Sequence, residues 1–173
     1  MGRPAGTIVM ETSDMSADTF RLGMRRLASG VSLIATRHEG EPHGLLATSV
    51  TSLSAEPPSL LVCINRSAQG HGPLHRSGIF AVNVLARHHR DLAESFASSS
   101  RRHERFRVGE WAEGTGAPVL VDALTSFECR IDRAIDYGTH TIVIGIIDRV
   151  RLGEGDTEPL LYFDGAFGLL ASA

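Results

Sequence analysis

The sequence has little of what usually marks a functional site at first sight. Its 173 residues include two cysteines, one tryptophan and two tyrosines, and aromatics make up only 6%. Cys63 and Cys129 stand far apart, in Leu-Leu-Val-Cys-Ile and Phe-Glu-Cys-Arg-Ile. They make neither a zinc pattern nor a redox pair, and buried thiols are expected. No apolar run approaches the roughly 18 residues of a membrane helix. Residues 1–15 show no charged head followed by an apolar stretch, so no secretory signal is expected and the location is read as cytoplasmic. A net charge of -3 leaves no nucleic-acid footprint.

Several catalytic signatures are missing too. No G-x-G-x-x-G follows a strand, so a nicotinamide cofactor would not be held by a Rossmann unit of this chain. There is no G-x-x-x-x-G-K-[ST] and no G-x-S-x-G. His71 and His75 have the spacing of helix-borne ligands, but Pro73 lies between them and no third ligand completes the set; no metal site is expected. The run Arg87-His-His-Arg90 reads as surface. The basic run Arg101-Arg-His-Glu-Arg-Phe-Arg107 reads either as solvated surface or as a local anion site.

What is present describes one domain over residues 16–173 behind a flexible tail, 1–15. Hydrophobic content of 42% suits a soluble globular chain. At this length about two-thirds of the unfolded surface can be buried without a disulfide or metal. Ser16 is placed to cap a helix carrying Phe20, Met24 and Leu27, with Gly30 as its stop. Strands are expected at Val31–Thr36, up to Ala47, at Leu60–Ile64, Ile79–Leu85, Leu124–Ala134, Thr141–Leu152 and Leu160–Phe163. Short helices are expected from Pro73 to Gly78 and over Asp91–Ala97, and a long irregular excursion over 98–118. Strands that follow one another without long intervening helices argue for a mainly β protein, an antiparallel barrel with a few short peripheral helices.

The segment Gly44-Leu-Leu-Ala-Thr-Ser-Val-Thr-Ser-Leu-Ser54 is the strongest functional signal. It is a strand that loses its alternation, turns at Pro57-Pro58 and re-enters the core at Leu60. Its small hydroxyl-bearing residues, Thr48, Ser49, Thr51, Ser52 and Ser54, let a flat ligand lie against the backbone. Beyond it, Cys63-Ile-Asn-Arg-Ser-Ala-Gln-Gly-His71 leaves a strand with phosphate-type donors at Asn65, Arg66 and Ser67. Gly138-Thr-His140 opens another strand, and Pro159-Leu-Leu-Tyr-Phe-Asp-Gly-Ala-Phe-Gly168 brings aromatics to a Gly-rich end.

Together these pieces resemble the short-chain flavin reductases, the flavin-reductase-like, FMN-binding split-barrel family, from about Phe20 to Phe167. The early Phe-Arg-x-x-Met-Arg-Arg-Leu-Ala-Ser-Gly-Val31 entry matches. So does the Gly-x-x-Ala-x-Ser-x-x-Ser-x-Ser-x-x-Pro-Pro pattern at 44–58, except that Leu46 stands where many members have Thr. Phe80-Ala-Val-Asn-Val-Leu85, Gly138-x-His140-x-Ile-x-x-Gly145 and Pro159-Leu-Leu-Tyr-Phe163 complete the likeness.

The resemblance implies an antiparallel Greek-key split β-barrel, a homodimer, and a flavin groove near the subunit interface. It implies an NAD(P)H:flavin oxidoreductase that supplies reduced flavin to a separate monooxygenase. Ala47, Thr48, Ser49 and Val50 would line the isoalloxazine. Thr51, Ser52, Asn65 and Ser67 would serve the ribityl chain and phosphate, with Cys63 at the start of that loop and Phe96 at the ribityl or adenine end. His140 would position the nicotinamide, with Tyr162 nearby. The flavin is FAD or FMN; the donor is NADH, with NADPH left open by Arg101, Arg102 and Arg105. Two alternatives stay open: a flavoprotein that retains FMN and passes electrons on, and a flavin- or haem-binding module without catalysis.

Overall fold

The computed structural model of the chain describes residues 16–155 and 158–170. The tail expected over 1–15 lies outside them. The first helix, α1 (Ala17–Met24), is capped by Ser16, whose hydroxyl accepts the Thr19 N–H at 3.0 Å. It stops sooner than expected. After Met24 the N–H groups of Arg26 and Leu27 bond three residues back, and Gly30 belongs to β1 (Ser29–Gly30) rather than ending the helix. The tighter turn feeds the chain straight into pairing with a C-terminal strand.

Next come β2 (Ser32–His38) and β3 (Glu41–Ala47), joined through Glu39 and Gly40, both at positive φ. Strand β4 (Val50–Ala55) follows after only Thr48 and Ser49, and β5 (Pro58–Asn65) after the proline turn. Helix α2 (His71–Ser77) ends at Gly78, which adopts φ 70° as a left-handed C-cap. Then come β6 (Ile79–Val84), helix α3 (Arg90–Ala97), the short pair β7 (Trp111–Glu113) and β8 (Pro118–Leu120), and the long hairpin β9 (Thr125–Tyr137) and β10 (His140–Leu152). Strand β11 (Leu161–Phe163) pairs with β1 on one side and with β12 (Ala166–Gly168) on the other. The 98–118 excursion is therefore not wholly irregular: its second half folds back as the β7–β8 hairpin.

The main sheet is antiparallel in the order β3-β2-β6-β9-β10-β5-β4. Consecutive strands β3 and β4 thus stand at its opposite edges, although two residues separate them. Only a sheet that curls until its edges meet can satisfy both facts. The twist of antiparallel strands supplies that curl, and the unpaired β3/β4 seam is the split in the barrel. The Cys63 N–H donates to the Ser49 carbonyl at 3.4 Å and the Ser49 hydroxyl to the Cys63 carbonyl at 2.9 Å, fastening the seam to β5.

Strand β2 is buried on both faces, as its unbroken apolar run predicts. Leu33 and Ala35 pack with Leu92, Phe96, Leu120 and Leu160, while Ile34 packs with Val62, Phe80 and Val143. Gly145 is needed by the second cluster: a Cβ there would lie 2.5 Å from Phe80 Cζ. Asn83, the polar interruption in β6, is fully buried and satisfied. Its Nδ2 donates to the Leu33 carbonyl, and its Oδ1 accepts from the Leu120 N–H and the Ser126 hydroxyl. One amide thereby ties β6 to β2, β8 and β9.

Of the two thiols expected to be buried, Cys129 is, and burial first of all pushes it up to about 12. Cys63 is only half-buried.

Candidate functional site

A groove of about 610 Å³ opens along β3 beside the split, within the range of small-molecule sites. Val31, Leu46, Tyr162 and Phe167 supply apolar walls; Thr48, Ser67, Gln69, Ser99 and Arg102 supply polar groups. Gly44 forms part of its lining. A Cβ there would meet Phe96 Cε1 at 2.9 Å and Phe106 Cζ at 3.1 Å, so only glycine lets both rings close on β3. The Phe96, Phe106 and Trp111 rings form a chain, with centroids 5.2 Å and 4.8 Å apart. This aromatic buttress grows out of the 98–118 excursion.

The guanidinium of Arg105 lies 5.3 Å from the centroid of Phe96 and donates to the carbonyls of Ser95, Phe96 and Ser98. It holds the C-terminal end of α3 against the excursion. Arg101 is held by Asp91 and Glu104.

A second, more open groove adjoins the first at Ser67. It is lined by Arg21, Asn65, Arg66, Ser67, His71, Gly138 and Thr139. Asn65 Oδ1 accepts from both the N–H and the hydroxyl of Ser67, at 2.9 and 2.8 Å, which fixes the loop leaving β5. Across the groove the Gly138-Thr139 turn, with Gly138 at φ 54°, places His140 opposite Asn65 in register. Thr139 Oγ1 and His140 Nδ1 are 2.9 Å apart.

Beneath that groove Thr141 is fully buried, and its hydroxyl donates to Asp136 Oδ1 at 2.6 Å. Its one proton being spent there, it accepts from His71 Nε2–H at 2.9 Å. Burial, and next the neighbouring His75, lower the His71 pKa, which keeps that ring neutral.

The sequence candidates divide between these two grooves. Ala47, Thr48, Ser67, Phe96 and Tyr162 line the first, and Asn65 lines the second together with Ser67. Ser49 and Cys63 form the seam contact described above. Val50 packs against the second core cluster, while Thr51 and Ser52 are exposed on the edge strand β4. His140 is exposed and follows Gly138 and Thr139 of the second groove without itself lining either groove, whereas Tyr162 lines the first.

Val31, Gln69 and Phe167 were not singled out by sequence. They come from three separate segments and meet only through the strand order.

The run 87–90 corrects one expectation. His89 is 5% exposed, held between the Ala86 N–H and Asp122, whereas His88 is on the surface.

A family model described as "Flavin reductase like domain" matches residues 24–171. The chain belongs to that family. Among curated relatives, the FMN reductase (NADH) RutF of Agrobacterium fabrum is 39% identical over 161 residues, covering 92% of each chain. RutF 2 of Methylorubrum extorquens is 41% identical over 149 residues, 86% of each. Among solved structures, the NADH:FAD oxidoreductase SgcE6 of Streptomyces globisporus, in complex with NAD and FAD fragments, superposes with a TM-score of 0.84 at 30% identity. The match covers 94% of this chain and 98% of that one. BorF, the flavin reductase component of a bacterial two-component tryptophan halogenase, gives 0.82 at 32% identity, over 91% and 100%. The flavin reductase family is thus matched across the grooves and the barrel alike.

Proposed function

We propose that the chain is an NAD(P)H-dependent flavin reductase that supplies reduced flavin to a separate monooxygenase. The observation that carries this is the pair of adjoining grooves sharing Ser67, in a chain of the flavin reductase family. The first groove fits a flavin. It has apolar walls for a flat ring, a glycine floor at Gly44, and neutral donors at Thr48, Ser67, Gln69 and Ser99. The second fits a nicotinamide donor approaching from the His140 side. Bound there, the two would supply the hydride chemistry, from nicotinamide C4 to flavin N5.

The chain's own contribution is placement. Leu46, Ala47 and Thr48 hold one edge of the ring site on main chain whose position is set by β2–β3 pairing. Tyr162 and Phe167, with centroids 5.7 Å apart, close the opposite wall. Asn65 fixes Ser67 at the junction, and the Gly138 turn sets His140 next to Thr139, which lines the second groove. Among the described residues, the Arg102 and Arg105 guanidinium groups are the only strongly acidic or basic side chains that line the first groove, which suits a transfer that needs no tuned proton donor. Neutral donors in an open groove also favour release of the product.

We infer a homodimer as the working form. Helix α1 buries none of its residues, and Phe20, Leu22, Met24 and Leu27 are each at least half exposed. A helix of eight residues does not persist in water on its own propensity, so a second copy covering this face supports it.

The test is to oxidise NADH and NADPH with purified protein against FMN, FAD and riboflavin, in the wild type and in His140→Ala. Flavin-dependent oxidation, with KM for the nicotinamide raised in the variant and flavin affinity nearly unchanged, is expected. No oxidation with any flavin would leave a non-catalytic binding module as the better reading. Unchanged kcat and KM in the variant would remove His140 from the site.

A further inference from the structure

The flavin groove does not end at its polar wall. A further recess of about 330 Å³ continues from it and shares Gly44, Gln69, Arg102 and Arg105 with it. Its ionisable lining is Glu41, His43, Arg102, His103, Arg105 and Arg107. Three guanidinium groups face one carboxylate, so the recess is cationic although the chain carries a net charge of -3.

The three arginines differ in what already holds them. Arg105 is engaged by three carbonyls. Arg102, at the junction of groove and recess, makes no side-chain hydrogen bond or ion pair among the described residues, and neither does Arg107. Its neighbour Arg101 is instead taken up by Asp91 and Glu104. An exposed, unpaired guanidinium between two connected hollows is suited to a phosphate, which it can grip with two parallel N–H bonds.

We propose that Arg102 binds a nucleotide phosphate beyond the flavin's own, and that the recess takes the attached nucleoside. The chain would then favour FAD over FMN. This rests on the flavin-reductase reading. The names of the relatives divide on this point, the curated RutF proteins being called FMN reductases and SgcE6 an NADH:FAD oxidoreductase, and none of them assigns a role to Arg102. The same phosphate chemistry has a second source, the 2′-phosphate of NADPH, and the experiment separates the two.

Purified full-length protein is titrated calorimetrically with FMN, FAD, NADH and NADPH, as wild type, Arg102→Ser and Arg102→Lys. Arg102 is exposed and unpartnered, so both variants keep the fold. FAD should bind the wild type more tightly than FMN. Arg102→Ser should weaken FAD about tenfold, the scale of one lost charged hydrogen-bonding group, and FMN by less than about twofold. Arg102→Lys, a point charge without the fork, should fall between. Equal weakening of FMN and FAD would assign Arg102 to the flavin's own phosphate and overturn the proposal. Loss of NADPH binding with FAD unchanged would move the phosphate to the nicotinamide and also overturn it. Failure of both flavins to bind the wild type would instead remove the flavin-reductase reading itself.

Discussion

Phe96 and Phe106 meet edge-on, at 82° with centroids 5.2 Å apart, across a point on β3 where Gly44 has no side chain. Helix α3 brings one ring and the excursion brings the other, so the groove wall is built from two elements that touch only because β3 offers bare backbone. Gly44→Ala should force one ring out of place. Overpacking of this kind costs about 1–3 kcal/mol, and the displaced ring should weaken flavin binding along with it. Urea unfolding and flavin titration on the same variant check both effects. Stability and affinity both unchanged would mean that the rings have room to yield.

A second pair controls the far side of the barrel. Glu128 is 1% exposed, and its Oε1 accepts from Arg151 Nε at 2.7 Å while Oε2 accepts from the Thr115 N–H and hydroxyl. Burial pushes its pKa up. The Thr115 N–H, Arg151 and the Thr115 hydroxyl outweigh that and hold it below its ordinary value of 4.5. A carboxylate lowered in the folded state binds fewer protons there than when unfolded. Its contribution is therefore complete above about pH 4.5 and is lost as pH falls through the folded value. Glu128→Gln should flatten the acid limb of a stability–pH curve, and Arg151→Ala should cost about 1–2 kcal/mol at neutral pH, held down by the partial exposure of Arg151. An acid limb of the same steepness in Glu128→Gln would assign it to other carboxylates.

These two contacts also show how far the sequence could be read. Strands β2, β3, β5, β6, β9, β10 and β11, the proline turn after β4 and the helix stop at Gly78 were legible because each is encoded within a few residues, by period, by proline or by glycine, whereas the short strands β1, β7, β8 and β12 were not. The Gly44–Thr48 wall was legible through its small residues. What closed over that wall was not. Phe106 and Trp111 sit in a stretch rich in Ser, Arg and Gly that carries no period, and their positions follow from the β7–β8 hairpin and from Arg105 gripping the end of α3. Nor did the sequence show that β3 and β4, neighbours along the chain, would become opposite edges of one sheet. Thr51 and Ser52 consequently end on an exposed strand away from the groove that Ala47 and Thr48 line. Asn83 looked like a break in an apolar run; its three partners lie on three other strands, and no local pattern announces them.

His88, His89 and Asp122 bring three potential ligand atoms within 4.8 Å of one another, yet the hydrogen bonding of His89 argues against a metal. Its Nδ1 accepts the Ala86 N–H at 3.0 Å, so the proton of the neutral ring lies on Nε2, facing Asp122 Oδ1 at 2.9 Å. No lone pair is left there for a cation. Burial lowers the His89 pKa below its ordinary 6.5, and the nearby Asp122 carboxylate only partly opposes it. The neutral form is thus the folded form, and protonation would set an N–H at Nδ1 against the Ala86 N–H. The contribution of His89 to stability should be complete above about pH 6.5 and fall away as pH drops through the lowered folded value. A chelator should leave Tm unchanged at pH 7.5, and added Zn²⁺ should not raise it. His89→Asn, which keeps an acceptor for Ala86, should remove the pH dependence that sets in below about pH 6.5. A Tm that rises with Zn²⁺ in the wild type and not in His89→Asn would reverse the assignment.

The exposed face of α1 offers the last test, of assembly. Asp164 is bound to this end of the chain twice: its N–H donates to the Arg25 carbonyl at 2.8 Å, and its carboxylate lies 3.9 Å from Arg26. The segment after α1 is therefore fastened to the β11–β12 turn, while Phe20, Leu22, Met24 and Leu27 face outward. Side chains of that size each gain about 1.5–3 kcal/mol when fully covered, so four of them are enough to matter in a dimer contact. The double variant Phe20→Ser, Leu27→Ser removes apolar surface and no buried contact of the protomer. It should shift the mass measured by light scattering from two chains toward one, while the unfolding midpoint becomes independent of protein concentration. A wild type that is monomeric at micromolar concentration, or a variant as dimeric as the wild type, would place the partner surface elsewhere.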